Sequence, residues 1–424
     1  MVNFPLPGQG IAAYTALRAR HISYGLAGVT GWRRVGMDFA LSEEQQLIRT
    51  QVRSLARTFD WSYWRELDGT GAYPHAFFNT FAANGWTGAV IPTEYGGSGL
   101  GMTEACIILG EICASGAGTT GAAPIHFSMF PPQPIIKYGS EEMKRQYLPK
   151  IAKGGMKLAF SVTEPNVGSD TAHLGTTAVR DGDEWVINGR KIWCSNAQNA
   201  DRVLILTRTT PIEQASKRTK GMTLFFSAID RDAIGIRVID KMGRHAVDSN
   251  ELFIDNWRVS HADLVGQEGE GFYHLLDGLN PERIVIAAEA VGIGKAALDR
   301  AVQYAKERTV FGRPIGKNQG IQFPLAEAYA RLEAAELMVF KAAWLYDQGL
   351  PCGAEANMAK LLAADAGCDA VDHAVQTHGG FGYAKESDVE RLYREVRLYK
   401  IAPVSQQMVL NYIGEHVLGM PRSY

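Results

Sequence analysis

The strongest constraint on this chain is a change of residue period near position 157. Upstream, from about 42 to 155, apolar residues recur at helical spacing. Ser42, followed by Glu43 and Glu44, reads as an N-cap, and Leu47, Ile48, Val52, Leu55 and Ala56 follow on one face. A Pro/Gly loop over 91–101 interrupts, and helix is expected again over 102–115 and 141–151. From 157 short β-rich runs take over, at 158–162, 184–193, 202–207, 222–229 and 235–239. Asp181-Gly182 and Asn188-Gly189 are tight-turn signals between such runs. After about 263 helix returns. Asn280 reads as an N-cap with Pro281 at the first helical position of a helix reaching Arg308, and further helices are expected at 322–348, 354–377, 387–399 and 406–418. The expected division is a leader at 1–36, a helical domain at 37–156, a β-domain at 157–262 and a helical domain at 263–424.

Length agrees, since 424 residues exceed one ordinary core. A net charge of −2 gives no electrostatic case for nucleic acid or an anionic membrane. The longest apolar runs, such as 284–288, fall far short of a membrane span. The five cysteines show no CxxC spacing, which argues against a zinc site or disulfide framework and for a reducing compartment. Residues 1–36 carry Arg18, Arg20, Arg33 and Arg34 and no acidic residue. Two readings compete: an organelle-targeting peptide, implying the mitochondrial matrix, or a translated leader upstream of Met37, implying the cytoplasm of a bacterium.

Four motifs carry chemistry, each with an ordinary structural alternative. Residues 160–170 end a strand in a loop rich in hydroxyls and free backbone donors, suited to flavin carbonyls or a phosphate, or simply to a turn. Trp193 and Ser195 stand at a strand end, where an aromatic and a hydroxyl can meet a flavin edge, though such a Trp is commonly core. Arg308, with Phe311 and Gly312 after it, suits a pyrophosphate or merely ends a helix. Gln376 to Gly382 allow close backbone approach, or only stop a helix. No strand–GxGxxG–helix unit is present, which disfavours a nicotinamide-binding sheet.

Taken in order over about 38–424, these motifs resemble the acyl-CoA dehydrogenase family. The resemblance rests on Gly85-Trp86 with residues 92–97, on Thr163-Glu164-Pro165 with Gly168-Ser169-Asp170, on residues 188–193, on Glu307-Arg308 with Phe311-Gly312, and on Gln376 with Gly379-Gly380. It implies a multi-domain α and β fold with a helical N-terminal domain, a middle β-barrel-like domain and a C-terminal four-helix bundle. It implies FAD, an acyl-CoA substrate, an electron-transfer flavoprotein as electron acceptor, and a homotetramer or homodimer. By resemblance, Phe160, Val162, Thr163, Ser169, Trp193 and Ser195 line the flavin, with Ser169 also near substrate. Arg308, Phe311, Gln319, Gln376, Gly379 and Gly380 hold the pyrophosphate and adenosine, some across a subunit boundary.

The chemistry needs a carboxylate, because an α C–H beside a thioester is a weak acid, and a buried Glu tuned toward working pH serves. Many relatives carry it at the position of Pro403, where this chain has neither a carboxylate nor a backbone N–H; Val404 N–H or a flavin hydroxyl is the alternative donor to the thioester oxygen. A smaller group, resembling isovaleryl-CoA and long-chain acyl-CoA dehydrogenases, takes its base from the position of Glu282. Glu is common in any first helical turn, but the loss at 403 together with a Glu at 282 favours catalysis. In that frame Asn280, Arg283, Ile286 and Ala402 contact the substrate, and the small Ala402 leaves room for a branch. Competing expectations are an oxygen-using monooxygenase or oxidase on the same fold, and a non-catalytic acyl-CoA-binding partner.

Overall fold

The computed structural model describes residues 39–423. The expectations for residues 1–36 lie outside the described residues. The N-terminal part is helical: α1 (Glu43–Ala56), α2 (Trp61–Thr70), α3 (His75–Ala83), α4 (Met102–Ile112), α5 (Gly118–His126), α6 (Pro132–Tyr138) and α7 (Glu141–Ala152). Ser42 does cap α1: its hydroxyl accepts from Gln45 N–H while the Gln45 side chain accepts from Ser42 N–H, which satisfies two donors at the helix start. The helical run Met102–His126 is long and apolar enough to cross a membrane by composition. Here it is core, and it breaks at Gly116 and Gly118, both with positive φ.

Eight strands then form one sheet: β1 (Leu158–Ser161), β2 (Thr177–Asp181), β3 (Glu184–Ser195), β4 (Arg202–Arg208), β5 (Met222–Ala228), β6 (Ile234–Val238), β7 (Ser249–Ser260) and β8 (Leu264–Val265), in the order β6-β7-β3-β1-β4-β5-β8. β2 pairs both β3 and β4, curling the sheet around a core that includes Trp185, Ile205, Phe225 and Trp257. Three expectations are corrected. The sheet extends past residue 262, because β8 pairs with β5. Strand β7, the partner of β3 along nearly its whole length, was missing from the expected set. Asn188-Gly189 is no turn: it lies inside β3 at a register shift. A Cβ on Gly189 would fall within 2.7 Å of the Thr176 backbone, so the glycine serves close strand approach.

The C-terminal part holds α8 (Gly271–Glu307), α9 (Gln319–Asp347), α10 (Gly353–His378), α11 (Val389–Val396) and α12 (Gln406–Tyr412). Helix α8 does not begin at Asn280. It starts at Gly271 and carries Pro281 in its interior, because upstream residues such as His274, Leu275 and Gly278 are buried and packing overrides the local capping signal. Its middle is almost wholly buried and joins the N-terminal helices to the C-terminal ones in one core.

Candidate active site

Helix α8 carries Glu282 into the core, where the residue is 9% exposed. One carboxylate oxygen, Oε2, lies 2.7 Å from His126 Nε2 at the end of α5. The other, Oε1, has no hydrogen-bond partner among the described residues, and the side chain keeps 12% of its surface open. His126 Nδ1 lies 2.8 Å from Glu289 Oε1, and Glu289 Oε2 accepts from the Tyr399 hydroxyl at 2.6 Å. Burial opposes a charge on His126, yet the carboxylates of Glu282 and Glu289 more than offset it and hold the ring at about 10. Tyr399 is held well above the usual phenol range by burial and by Glu289.

A chain of rings leads from this acid to the sheet. His126 sits 6.1 Å from Phe130, and Phe130 meets Phe160 of β1 edge-on at 4.9 Å. Phe160 pairs in register with Ser195 of β3. The Ser195 hydroxyl accepts from Arg244 at 2.8 Å, and Arg244 also feels the charges of Tyr399 and Glu289. Thus Phe130 links His126 to β1, and Arg244 links β3 to the Glu289 and Tyr399 side of the same cluster.

Just after β1, Val162 and Thr163 are anchored by their backbone. Val162 carbonyl accepts from Lys191 Nζ at 3.0 Å and Thr163 carbonyl from Ile192 N–H at 2.9 Å. Lys191 is fully buried, pushed down to about 8 by its burial and held by Glu164 at 3.0 Å. Glu164 also accepts from Gly175 and Thr176 N–H, which folds the loop bearing the exposed Ser169. Trp193 sits at a register shift of β3 with φ of 60° and its ring 55% exposed. A left-handed backbone that turns a large apolar ring outward is strained and solvated without a partner, and a planar aromatic ligand such as a flavin fits it.

Arg283 Nη1 donates to Asn280 Oδ1 at 3.1 Å and to Leu279 carbonyl at 3.3 Å, while its buried Nε has no partner. Ile286 is buried in the helical core. Ala402 is half-buried and Pro403 exposed in the loop before α12, and Lys360 Nζ holds the Val404 carbonyl at 2.6 Å. Lys360 itself is pushed down to about 8 by burial and by nearby Arg283.

The remaining expected residues gather elsewhere. Arg308 ends α8 and lies over the Phe381 ring at 5.9 Å. Phe311 is wholly exposed with φ of 52°. Gln319, Gln376, Gly379 and Gly380 are exposed on the neighbouring α9 and α10 ends. From Glu282 to Arg308 the helix rises about 39 Å, at about 1.5 Å per residue.

His126, Glu289, Tyr399 and Arg244 were not anticipated as site residues. One signal was available: Glu289 is a lone carboxylate in the apolar run 284–291, seven residues and two turns from Glu282 on the same helix face.

A curled sheet that presents a strained, solvated Trp, and a buried acid with one free oxygen on the helix that follows it, are features a flavin-dependent oxidoreductase can use. Family models agree: the N-terminal, middle and C-terminal domains of acyl-CoA dehydrogenase match residues 42–155, 159–257 and 269–418. The acyl-CoA dehydrogenase FadE12 of Mycobacterium tuberculosis strain H37Rv is 38% identical over 391 residues, covering 91% of this chain and 99% of that one. The acryloyl-CoA reductase (NADH) of Anaerotignum propionicum is 37% identical over 368 residues, covering 86% and 92%. Among solved structures, the glutaryl-coenzyme A dehydrogenase glutaryl-CoA complex superposes with a TM-score of 0.86 at 31% identity, over 91% of this chain and 98% of that one. A chain from a structure of the electron transferring flavoprotein of Acidaminococcus fermentans gives 0.86 at 32%, over 90% and 100%. The FAD complex of PigA shares the fold at 0.85 and 24%, over 91% and 100%. The chain belongs to the acyl-CoA dehydrogenase family: an FAD-dependent oxidoreductase acting on acyl-CoA.

Proposed function

We propose that this enzyme removes two hydrogens from Cα and Cβ of an acyl-CoA thioester to give the trans-2-enoyl-CoA, with Glu282 as the α-proton base. The observation that carries this reading is the asymmetry of the Glu282 carboxylate: Oε2 is tied to His126 while Oε1 is free on a side chain that retains some exposure. FAD, when bound, supplies the acceptor for the β-hydride. Phe130 packs against His126 and edge-on against Phe160, which supplies an apolar wall on the His126 side of the proposed base. Where water is excluded, an ionised carboxylate is a stronger base toward a C–H than the same group in bulk solvent. Arg283, braced by Asn280, is the residue assigned to the CoA portion. Ala402 leaves room for a branched acyl chain.

The distance along α8 and the exposure of Arg308, Phe311, Gln319, Gln376, Gly379 and Gly380 support an oligomer in which this end serves a neighbouring subunit's FAD. An electron-transfer flavoprotein is the proposed electron acceptor, in keeping with the structural neighbour noted above. Relatives named for dehydrogenation and for reduction both occur, so the direction of turnover follows from the electron partner.

The test is anaerobic bleaching of the flavin by butyryl-CoA, isovaleryl-CoA and a longer branched acyl-CoA. Glu282→Gln should keep its yellow FAD and bleach at least about a thousandfold more slowly. Bleaching at near the unaltered rate would remove Glu282 as base, and rapid reoxidation of the reduced enzyme by air would favour an oxidase instead. Strict preference for butyryl-CoA would count against the branched pocket.

A further inference from the structure

His126 closes α5 and is held between two carboxylates of α8, and His126, Glu289 and Tyr399 are all buried with Glu282. Both of its ring nitrogens face carboxylate oxygens, Glu282 Oε2 at 2.7 Å and Glu289 Oε1 at 2.8 Å. An ionised carboxylate only accepts, so this geometry is satisfied by a ring with a proton on each nitrogen. A neutral ring would set a nitrogen lone pair against an oxygen lone pair in a dry site. Glu289 is fixed in turn by Tyr399 at 2.6 Å. Facing the same cluster are Cys113 from the end of α4 and, from the loop before β7, Arg244, whose positive charge lies toward Glu289 and Tyr399.

We propose that His126 is a positioning residue for the base: a buried imidazolium that ties down Oε2 of Glu282 and so presents Oε1 to the α-carbon, with Glu289 and Tyr399 locking the ring. This rests on the reading of Glu282 as the base. A carboxylate held by one oxygen cannot swing, and an error of about 1 Å in such a group is enough to cost on the order of a hundredfold in rate. When the α C–H breaks, its proton bonds to Oε1, and the cluster passes from one net negative charge to neutral while every hydrogen bond to His126 is kept.

The test uses the FAD-loaded enzyme in anaerobic single-turnover bleaching with whichever of butyryl-CoA or isovaleryl-CoA bleaches the unaltered enzyme faster. His126→Gln should lower the bleaching rate about thirtyfold or more while the half-saturating acyl-CoA concentration stays within about threefold. Tyr399→Phe, which keeps the ring and its two carboxylates, should slow bleaching about fivefold through a looser Glu289. If His126→Gln bleaches within about twofold of the unaltered rate, while Glu282→Gln is inert, the positioning role is wrong and the base stands. If Glu282→Gln itself turns over, the base reading fails first. Should His126→Gln not retain FAD, Tyr399→Phe decides, and an unchanged rate there overturns the proposal.

Discussion

Helix α5 has a buried carboxylate cluster at each end, and the two are built differently. At its start, Glu395 is sealed. Oε1 accepts from Thr120 Oγ1 at 2.9 Å and Arg391 Nη1 at 3.0 Å, and Oε2 from Thr119 Oγ1 at 2.7 Å and Thr120 N–H at 3.3 Å. Its side chain is 0% exposed, and even Gly118 must be glycine, because a Cβ there would lie 2.3 Å from Glu395 Oε2. At the other end Glu282 has one oxygen bound and one free. A fully satisfied buried acid has no capacity left for a reactant and contributes structure. A half-satisfied one beside an aromatic wall keeps an acceptor in reserve, which is what a base requires.

Four measurements test that contrast. The largest effect is on the sealed pair: Arg391→Met leaves Glu395 charged and buried, and should lower the urea-unfolding free energy by about 3–5 kcal/mol. A loss under about 1 kcal/mol would mean that the cluster is not structural in this sense. Glu282→Gln is its opposite, with about 4 kcal/mol lost from transition-state stabilisation, equivalent to about a thousandfold in rate, and the unfolding midpoint nearly unmoved. Equal damage to rate and stability in both variants would erase the distinction.

The third is a pH dependence. His126 is held up at about 10, above its ordinary 6.5, so its contribution to stability is complete below about pH 6.5 and is lost as pH rises toward 10. Unfolding free energy should therefore fall over that alkaline window, and fall less in His126→Gln; parallel curves would show that the ring is not charged in the fold. The smallest effect concerns the flavin wall. Trp193→Ala should weaken FAD retention by about 1 kcal/mol, or about fivefold in Kd, read by fluorescence titration of the apoenzyme, and unaltered retention would take Trp193 off the wall.

The strands around β1 to β3 were legible because their signals are local. Strand alternation, the Asp181-Gly182 turn and the hydroxyl loop after β1 each depend on residues a few positions apart. Glu282 was legible only as an acid in the right segment. Its setting was misread, since Asn280-Pro281 resembles a helix start and the helix in fact begins nine residues earlier than Asn280, at Gly271. Asn188-Gly189 misled in the same way, as turn chemistry put to use inside a strand.

The amino-acid order by itself determined the succession of helical, β and helical regions, the strand and helix faces, and which residue types were on hand for a flavin and an acyl thioester. Tertiary structure alone decided that His126 stands between Glu282 and Glu289, and that Tyr399 closes the row from 110 residues away. Periodicity reports only what neighbours along the chain do. A carboxylate's fate depends on which distant donors packing brings within about 3 Å, and on which of its oxygens packing leaves free.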